Sequence, residues 1–444
     1  MTSSRLSLPT DILSAHFDTE SNIFSKPRAT YRVQPLVSPA PVSEQDYGHE
    51  ALEMTTFHNT APPQMTSQGP AEATAWTMAE RSEWIAIAAC CGCMFMGGWN
   101  DASTGPLLPA IQNHYNIDFV VVSMLFVSSC IGFIMAAVMN IHLADRLGFG
   151  KVIFLGVALQ NAQSNTFIAQ LPNNASTKMG LLHASYGMGA FIAPLIATQF
   201  AQLPRWSFYY MTSLGVALLN ALSLFSAFKL RRLHDITGVN EPNLSASQSE
   251  ESKYKGILSS RAVQLIALFI WVYVGTEVTI GGWIVTFIIE VRGGGASAGY
   301  ISSGFFGGLM LGRVVLLWIN KKVGERRVVY IYGLLAIGLE SVVWLVPDVI
   351  GNALAVAVVG LFLGPMYPIA MNITSSVIPR RILTGSIGWI ASFGQAGSAV
   401  FPFITGVFAQ KYGVKVLQPL LVGTLATLIV LWSMVPSGPR RRGE

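Results

Sequence analysis

Residues 151–165 read KVIFLGVALQNAQSN. The first six residues begin an apolar helix directly after a basic loop, whereas the remainder carries the amides of a helix about to leave the bilayer. The two parts look joined across a gap, and an internal repeat measures that gap. HLADRLGFGK at 142–151 has its counterpart in INKKVGERR at 319–327, and matching Gly148 to Gly324 gives an offset of 176 residues. Beyond the join, GVALQNAQS at 156–164 matches GPMYPIAMN at 364–372. Gly156, Pro194 and Gln202 then match Gly364, Pro402 and Gln410, each at an offset of 208. The first half is therefore shorter than the second by about 32 residues, roughly one spanning helix with a loop and part of the next.

The chain is 52% hydrophobic and 11% charged over 444 residues, with a mean hydropathy of +0.49. A soluble domain carries roughly 25% charged residues, so most of this chain must face lipid or other helices. Residues 1–80 are the exception: polar, rich in Ser, Thr and Pro and without a signal-peptide pattern, they read as a disordered tail. The net charge of +5 is dispersed over short loops, which argues against a nucleic-acid-binding face and reports topology instead. Cys90, Cys91, Cys93 and Cys130 lie in apolar runs with no His or carboxylate at ligand spacing. They read as packing residues, and neither a metal nor a cofactor is expected.

A span needs about 20 predominantly apolar residues. Such stretches occur near 84–108, 117–141, 152–171, 179–203, 206–228, 261–289, 297–319, 328–346, 349–373, 382–409 and 416–435. The polar segment 230–258 divides these eleven into five and six. The expected organisation is a tail (1–80), an incomplete helical bundle (81–229), a linker (230–258), a six-helix bundle (259–436) and a basic tail (437–444). Lys and Arg cluster after the second, seventh and ninth spans, in the linker and at the C-terminus, which puts these loops and both termini in the cytoplasm. Five spans cannot return a bundle to the side from which it started. Residues 152–171 are thus expected to be displaced from a normal third span, with their second half in the place of a fourth.

Parallel halves around a basic cytoplasmic loop resemble the plan of the major facilitator superfamily. DRLGFGK is similar to that superfamily's signature GxxxDRxGxRK, with Ile141 at its first Gly and Gly150 at one of its basic positions. GGWNDASTGPLLPAI (97–111), ALQNAQSN (158–165), GLLHASYGMGAFIAPL (180–195) and YVGTEVTIGGWIVTF (273–287) resemble fungal members of the fucose-permease-like branch. The resemblance covers about residues 82–435. It implies an all-α integral membrane fold of two pseudo-symmetric bundles, with about 11 spans here instead of 12, and a transporter rather than an enzyme. In that branch an acid near Asp101 is associated with proton coupling.

A carboxylate in the bilayer costs roughly 2.5–3.5 kcal/mol, so intramembrane acids usually face a cavity and work there. Asp101, beside Asn100 in WNDASTGP, is the first candidate; its competing role is to cap a helix broken by nearby Gly and Pro. Glu277, with Tyr273 and Trp283 within two turns, occupies the corresponding span of the second half; a helix-packing hydrogen bond is its competing role. Glu340 reads as a buried hydrogen bond or a protonated acid at the edge of a bundle. Gln160, Asn161 and Gln163, with Tyr186, Tyr367, Asn372, Trp389 and Gln395, suit a polyol, because amides donate and accept while rings cover a sugar's apolar face. Each could equally tie helices together. His183 reads as a packing residue and Arg313 as a snorkelling one. Asp145, Arg146 and Lys151 are expected to form a conformational gate of salt bridges.

The leading reading is a monomeric secondary active carrier moving a small polar solute, a sugar, with protons by alternating access in the plasma or vacuolar membrane. The alternatives are an exporter of fungal secondary metabolites, or a non-transporting, defective or sensory paralogue. HExxH and phosphate-loop patterns are absent from the sequence.

Overall fold

The structure, a computed structural model, describes residues 79–147, 151, 164–165, 167–168, 171, 173–229, 231 and 255–436. Before the linker lie α1 (Glu80–Tyr115), α2 (Phe119–Leu147), α3 (Ala175–Ala201) and α4 (Tyr209–Phe228). After it come α5 (Arg261–Arg292), α6 (Tyr300–Val315), α7 (Leu317–Val323), α8 (Glu325–Leu345), α9 (Val349–Leu363), α10 (Met366–Val377), α11 (Arg380–Tyr412) and α12 (Leu417–Met434). No strand occurs among the described residues. This suits hydrocarbon, where backbone groups must find their partners within the segment. Sequence sets the helix ends: the Ser260 side chain accepts from Val263 N at the start of α5, and Gly293, at φ 66°, closes its other end.

Among the described residues, eight helical segments are long and apolar enough to cross a membrane, and α6 with α7, bent by 52°, makes a ninth. The other two expected spans are α1, whose 36 residues are diluted by polar ones, and the stretch 152–171, most of which lies outside the described residues. Residues 349–373 form one span broken at Gly364–Pro365 between α9 and α10.

The repeat is visible as a pair of equivalent contacts. In lipid, helices associate by close packing, and small residues permit it. A Cβ on Gly189 of α3 would lie 2.1 Å from Phe95 O of α1, and one on Gly397 of α11 would lie 2.1 Å from Trp271 O of α5. Phe95 and Trp271 are 176 residues apart, while Gly189 and Gly397 are 208 apart. One contact thus carries both offsets, and the chain between its two helices is shorter in the first half.

The two helix groups meet through α1 with α5, α2 with α11, and α3 with α6. α1 and α5 cross where a Gly105 Cβ would come 2.1 Å from Gly281 O, again residues 176 apart. Phe119 N donates to Gln410 Oε1 (2.9 Å) across α2 and α11, and Gln199 Nε2 bonds the Tyr300 hydroxyl across α3 and α6. These contacts gather toward the ends of the helices away from the linker. At the linker end, the buried pair Lys178–Glu83 ties α3 to α1 within the first group.

The back of the second group is filled by α8 and α9. A Gly308 Cβ on α6 would sit 2.0 Å from Ala357 O of α9, whereas Gly132, its counterpart on α2, has no described atom within 4 Å. Only 17% of the α2 span and 17% of the α4 span is buried, against 67% of α5. Ser164, Phe167, Ile168 and Leu171 are buried, and the latter three cluster with α1, α3 and α4; the Phe167 ring meets Phe228 edge-on at 5.3 Å. Cys90 and Cys93 belong to the same apolar cluster.

Two outcomes follow. Gly105→Leu should drive α1 and α5 apart: with the native cysteines replaced, a Ser302→Cys thiol should label with an impermeant maleimide only in the Gly105→Leu chain. Equal labelling in the parent would mean that this end is already open. Separately, Glu340 on α8 is fully buried, and both its carboxyl oxygens lack a hydrogen-bond partner among the described residues. Such an orphan costs about 1–3 kcal/mol, so Glu340→Met should raise the melting temperature of the purified protein. A drop would show that the carboxyl contributes to stability.

Candidate functional site

The glycine seams decide which side chains face the cleft. A Gly98 Cβ would lie 2.0 Å from Tyr186 O, so α1 and α3 are locked in register one turn from Asp101. Asp101 and Asn100 are exposed although they sit mid-helix between buried Trp99 and Ala102. The Tyr186 hydroxyl donates to Asp101 Oδ2 at 2.8 Å. On α5, Glu277 is half-buried one turn before the Gly281 crossing, as Asp101 stands one turn before Gly105. The two carboxylates interact electrostatically across the interface. They are also 176 residues apart, so they form a pseudo-symmetric pair.

Around the acids are Tyr273, whose hydroxyl donates to Leu363 O (3.1 Å), and Tyr367, its ring 6.2 Å from that of Tyr273. Arg313 of α6 completes the group. Its guanidinium acts electrostatically on Glu277, Tyr273, Tyr186, Tyr367 and His183. Glu277 and Arg313 attract at a distance; Lys178 with Glu83 is the contact ion pair among the described residues. The contacts joining the helix groups lie at or beyond this level, so the acids stand on the linker side of the Gly105–Gly281 crossing.

Asp101, Asn100, Tyr186, Glu277 and Tyr367 are therefore brought together. Trp283 is not: it is wholly buried, donating its indole N–H to Pro402 O at 3.0 Å. Asn372 lies by the loop end of α8, where its amide donates to Glu325 Oε1 at 2.9 Å. Trp389 donates to Gln264 Oε1 at 3.2 Å, and Gln395 is exposed on α11. Gln160, Asn161 and Gln163 fall outside the described residues, as do the side chains of Asp145 and Arg146; Lys151 is exposed. Sequence reasoning assigned Arg313 to the membrane surface. The overlooked signal is its place on the stripe Ser302, Phe306, Leu309, Arg313, which recurs at helical spacing and whose first three members are buried.

The sequence profile of the Major Facilitator Superfamily matches residues 161–402 and 294–444. Bypass of stop codon protein 6 of Saccharomyces cerevisiae is 24% identical over 410 residues, covering 79% of this chain and 82% of the yeast protein. A glucose/galactose transporter of Brucella abortus is 25% identical over 336 residues, covering 71% and 78%. Among solved structures, the transporter FucP in its outward conformation superposes with a TM-score of 0.53 at 15% identity, covering 80% of this chain and all of FucP. This chain belongs to the Major Facilitator Superfamily, as an all-helical, multi-pass membrane transporter.

Proposed function

We propose that the chain is a secondary active carrier that moves a small, hydroxyl-rich solute together with protons by alternating access. The observation that carries this is the Asp101–Glu277 pair at the floor of the cleft. An exposed carboxylate held mid-helix by one tyrosine is costly in a membrane, and gating charge by protonation gives that cost a use. The far-side crossing at Gly105 and Gly281 supports a state open toward the linker, which the positive loops place in the cytoplasm. Sugars suit the phenols of Tyr186 and Tyr367, and a relative named as a glucose/galactose transporter supports that class.

A second reading, a chain without transport activity, is favoured by one observation, Gly132 on α2, which meets no described atom where its counterpart Gly308 meets Ala357. Inserting the missing block of about 32 residues after Lys151 should raise both yield and melting temperature, because it would supply a neighbour for that face. Equal stability and equal uptake without it would dismiss the second reading.

In proteoliposomes with an imposed pH gradient, Asp101→Asn should lose accumulation, so that internal solute only equals external solute. Exchange of labelled for unlabelled solute should survive. Continued uphill accumulation by Asp101→Asn would move the proton role to another residue.

A further inference from the structure

Arg313 stands in the last turn of α6, where an arginine ordinarily reaches for the membrane surface. Here the helix cannot rotate to let it. A Gly312 Cβ would lie 2.0 Å from Leu361 O, and a Gly364 Cβ would lie 3.2 Å from Arg313 N, so α6 is pressed against the broken span α9–α10. Leu311, Val314 and Val315 on the other faces are 51%, 63% and 61% exposed, which leaves Arg313 half-buried on the inner stripe. The neighbouring Met310 packs over Gly187 of α3, bringing the turn that holds Tyr186 opposite the guanidinium.

Among the described residues Arg313 has a counter-charge in range but no ion pair in contact; its guanidinium shares a hydrogen bond with Tyr273, and its buried Nε has no partner. A guanidinium offers five donors in a planar fork that fits a carboxylate with two parallel bonds. We infer that the solute is itself an acid, a sugar acid of the uronate or aldonate kind, whose carboxylate docks on Arg313 while its hydroxyls meet Tyr186, Tyr367 and Asn100. This rests on the carrier reading above and narrows its substrate class.

Charge counting supports a monoanion. The titratable and charged groups around the position are Asp101 on α1, His183 and Tyr186 on α3, Tyr273 and Glu277 on α5, Arg313 on α6 and Tyr367 on α10. With both acids ionised, two negative charges face one positive charge, and an added anion is repelled. With both protonated, the guanidinium is left with one uncompensated charge, which a carboxylate neutralises and a phosphate dianion would exceed. Binding of the acid and uptake of protons therefore favour one another.

The test is equilibrium binding to the purified full-length chain in detergent, comparing D-glucuronate with D-glucose. Glucuronate should bind about tenfold tighter, a difference of about 1.4 kcal/mol, with protons taken up from a weakly buffered solution. Arg313→Gln should lose the preference. Glu277→Gln, which removes the competing carboxylate, should tighten glucuronate binding near neutral pH and serves as the second variant should Arg313→Gln not fold. Equal binding of the two sugars by the native chain, or glucuronate binding unchanged by either substitution, would overturn the inference. Arg313-dependent binding without uptake into proteoliposomes would fell the carrier reading alone, whereas uptake of glucose without glucuronate binding would fell this one alone.

Discussion

Backbone-to-backbone approach at glycine is the constraint on which the rest depends. Apolar surface gives helices in lipid little reason to prefer each other over acyl chains, so association rests on contact distance. Where Gly98 and Gly189 bring α1 onto α3, and Gly397 brings α11 onto α5, the helices are fixed in rotation as well as separation. That rotation presents Asp101 to Tyr186 and leaves the carboxylate exposed. The crossing at Gly105 and Gly281 then sets the two acids one turn from the point where the halves touch. The charged pair and the crossing are thus neighbours.

Much of this is legible in the sequence because the repeat encodes it. The change of offset from 176 to 208 locates the shortened segment, and both offsets reappear in the contacts of Phe95 with Gly189 and of Trp271 with Gly397. The acids are legible because ionisable groups are scarce in apolar runs. What cannot be read is rotation. Arg313 and Trp283 each sit in an apolar helix whose facing is decided by its neighbours, so the arginine turns inward and the tryptophan is spent on Pro402. Asn372 misleads for another reason: α10 is short, and its end already reaches Glu325. An amide in a span does not announce its depth.

The cleft also joins two kinds of interaction that are commonly kept apart. Tyr273 packs its ring toward Tyr367 and donates to Leu363 O, the carbonyl that closes α9 just before the break at Gly364. The same residue lies in the field of Glu277 and Arg313. A change of charge at the acids is therefore felt at a helix break, where the backbone has the fewest internal bonds to lose. That gives a short route from a proton to a bend.

The unfilled face around Gly132 makes the molecule mechanically unequal. The second half has its outer helices α8 and α9 braced against α6 and α12, so it can turn as a block. In the first half Gly132 of α2 meets no described atom at the equivalent height. Among the described residues α6 is clamped by α9 where α2 is not, so a load applied at the Gly105–Gly281 crossing meets a stiffer lever in the second half than in the first.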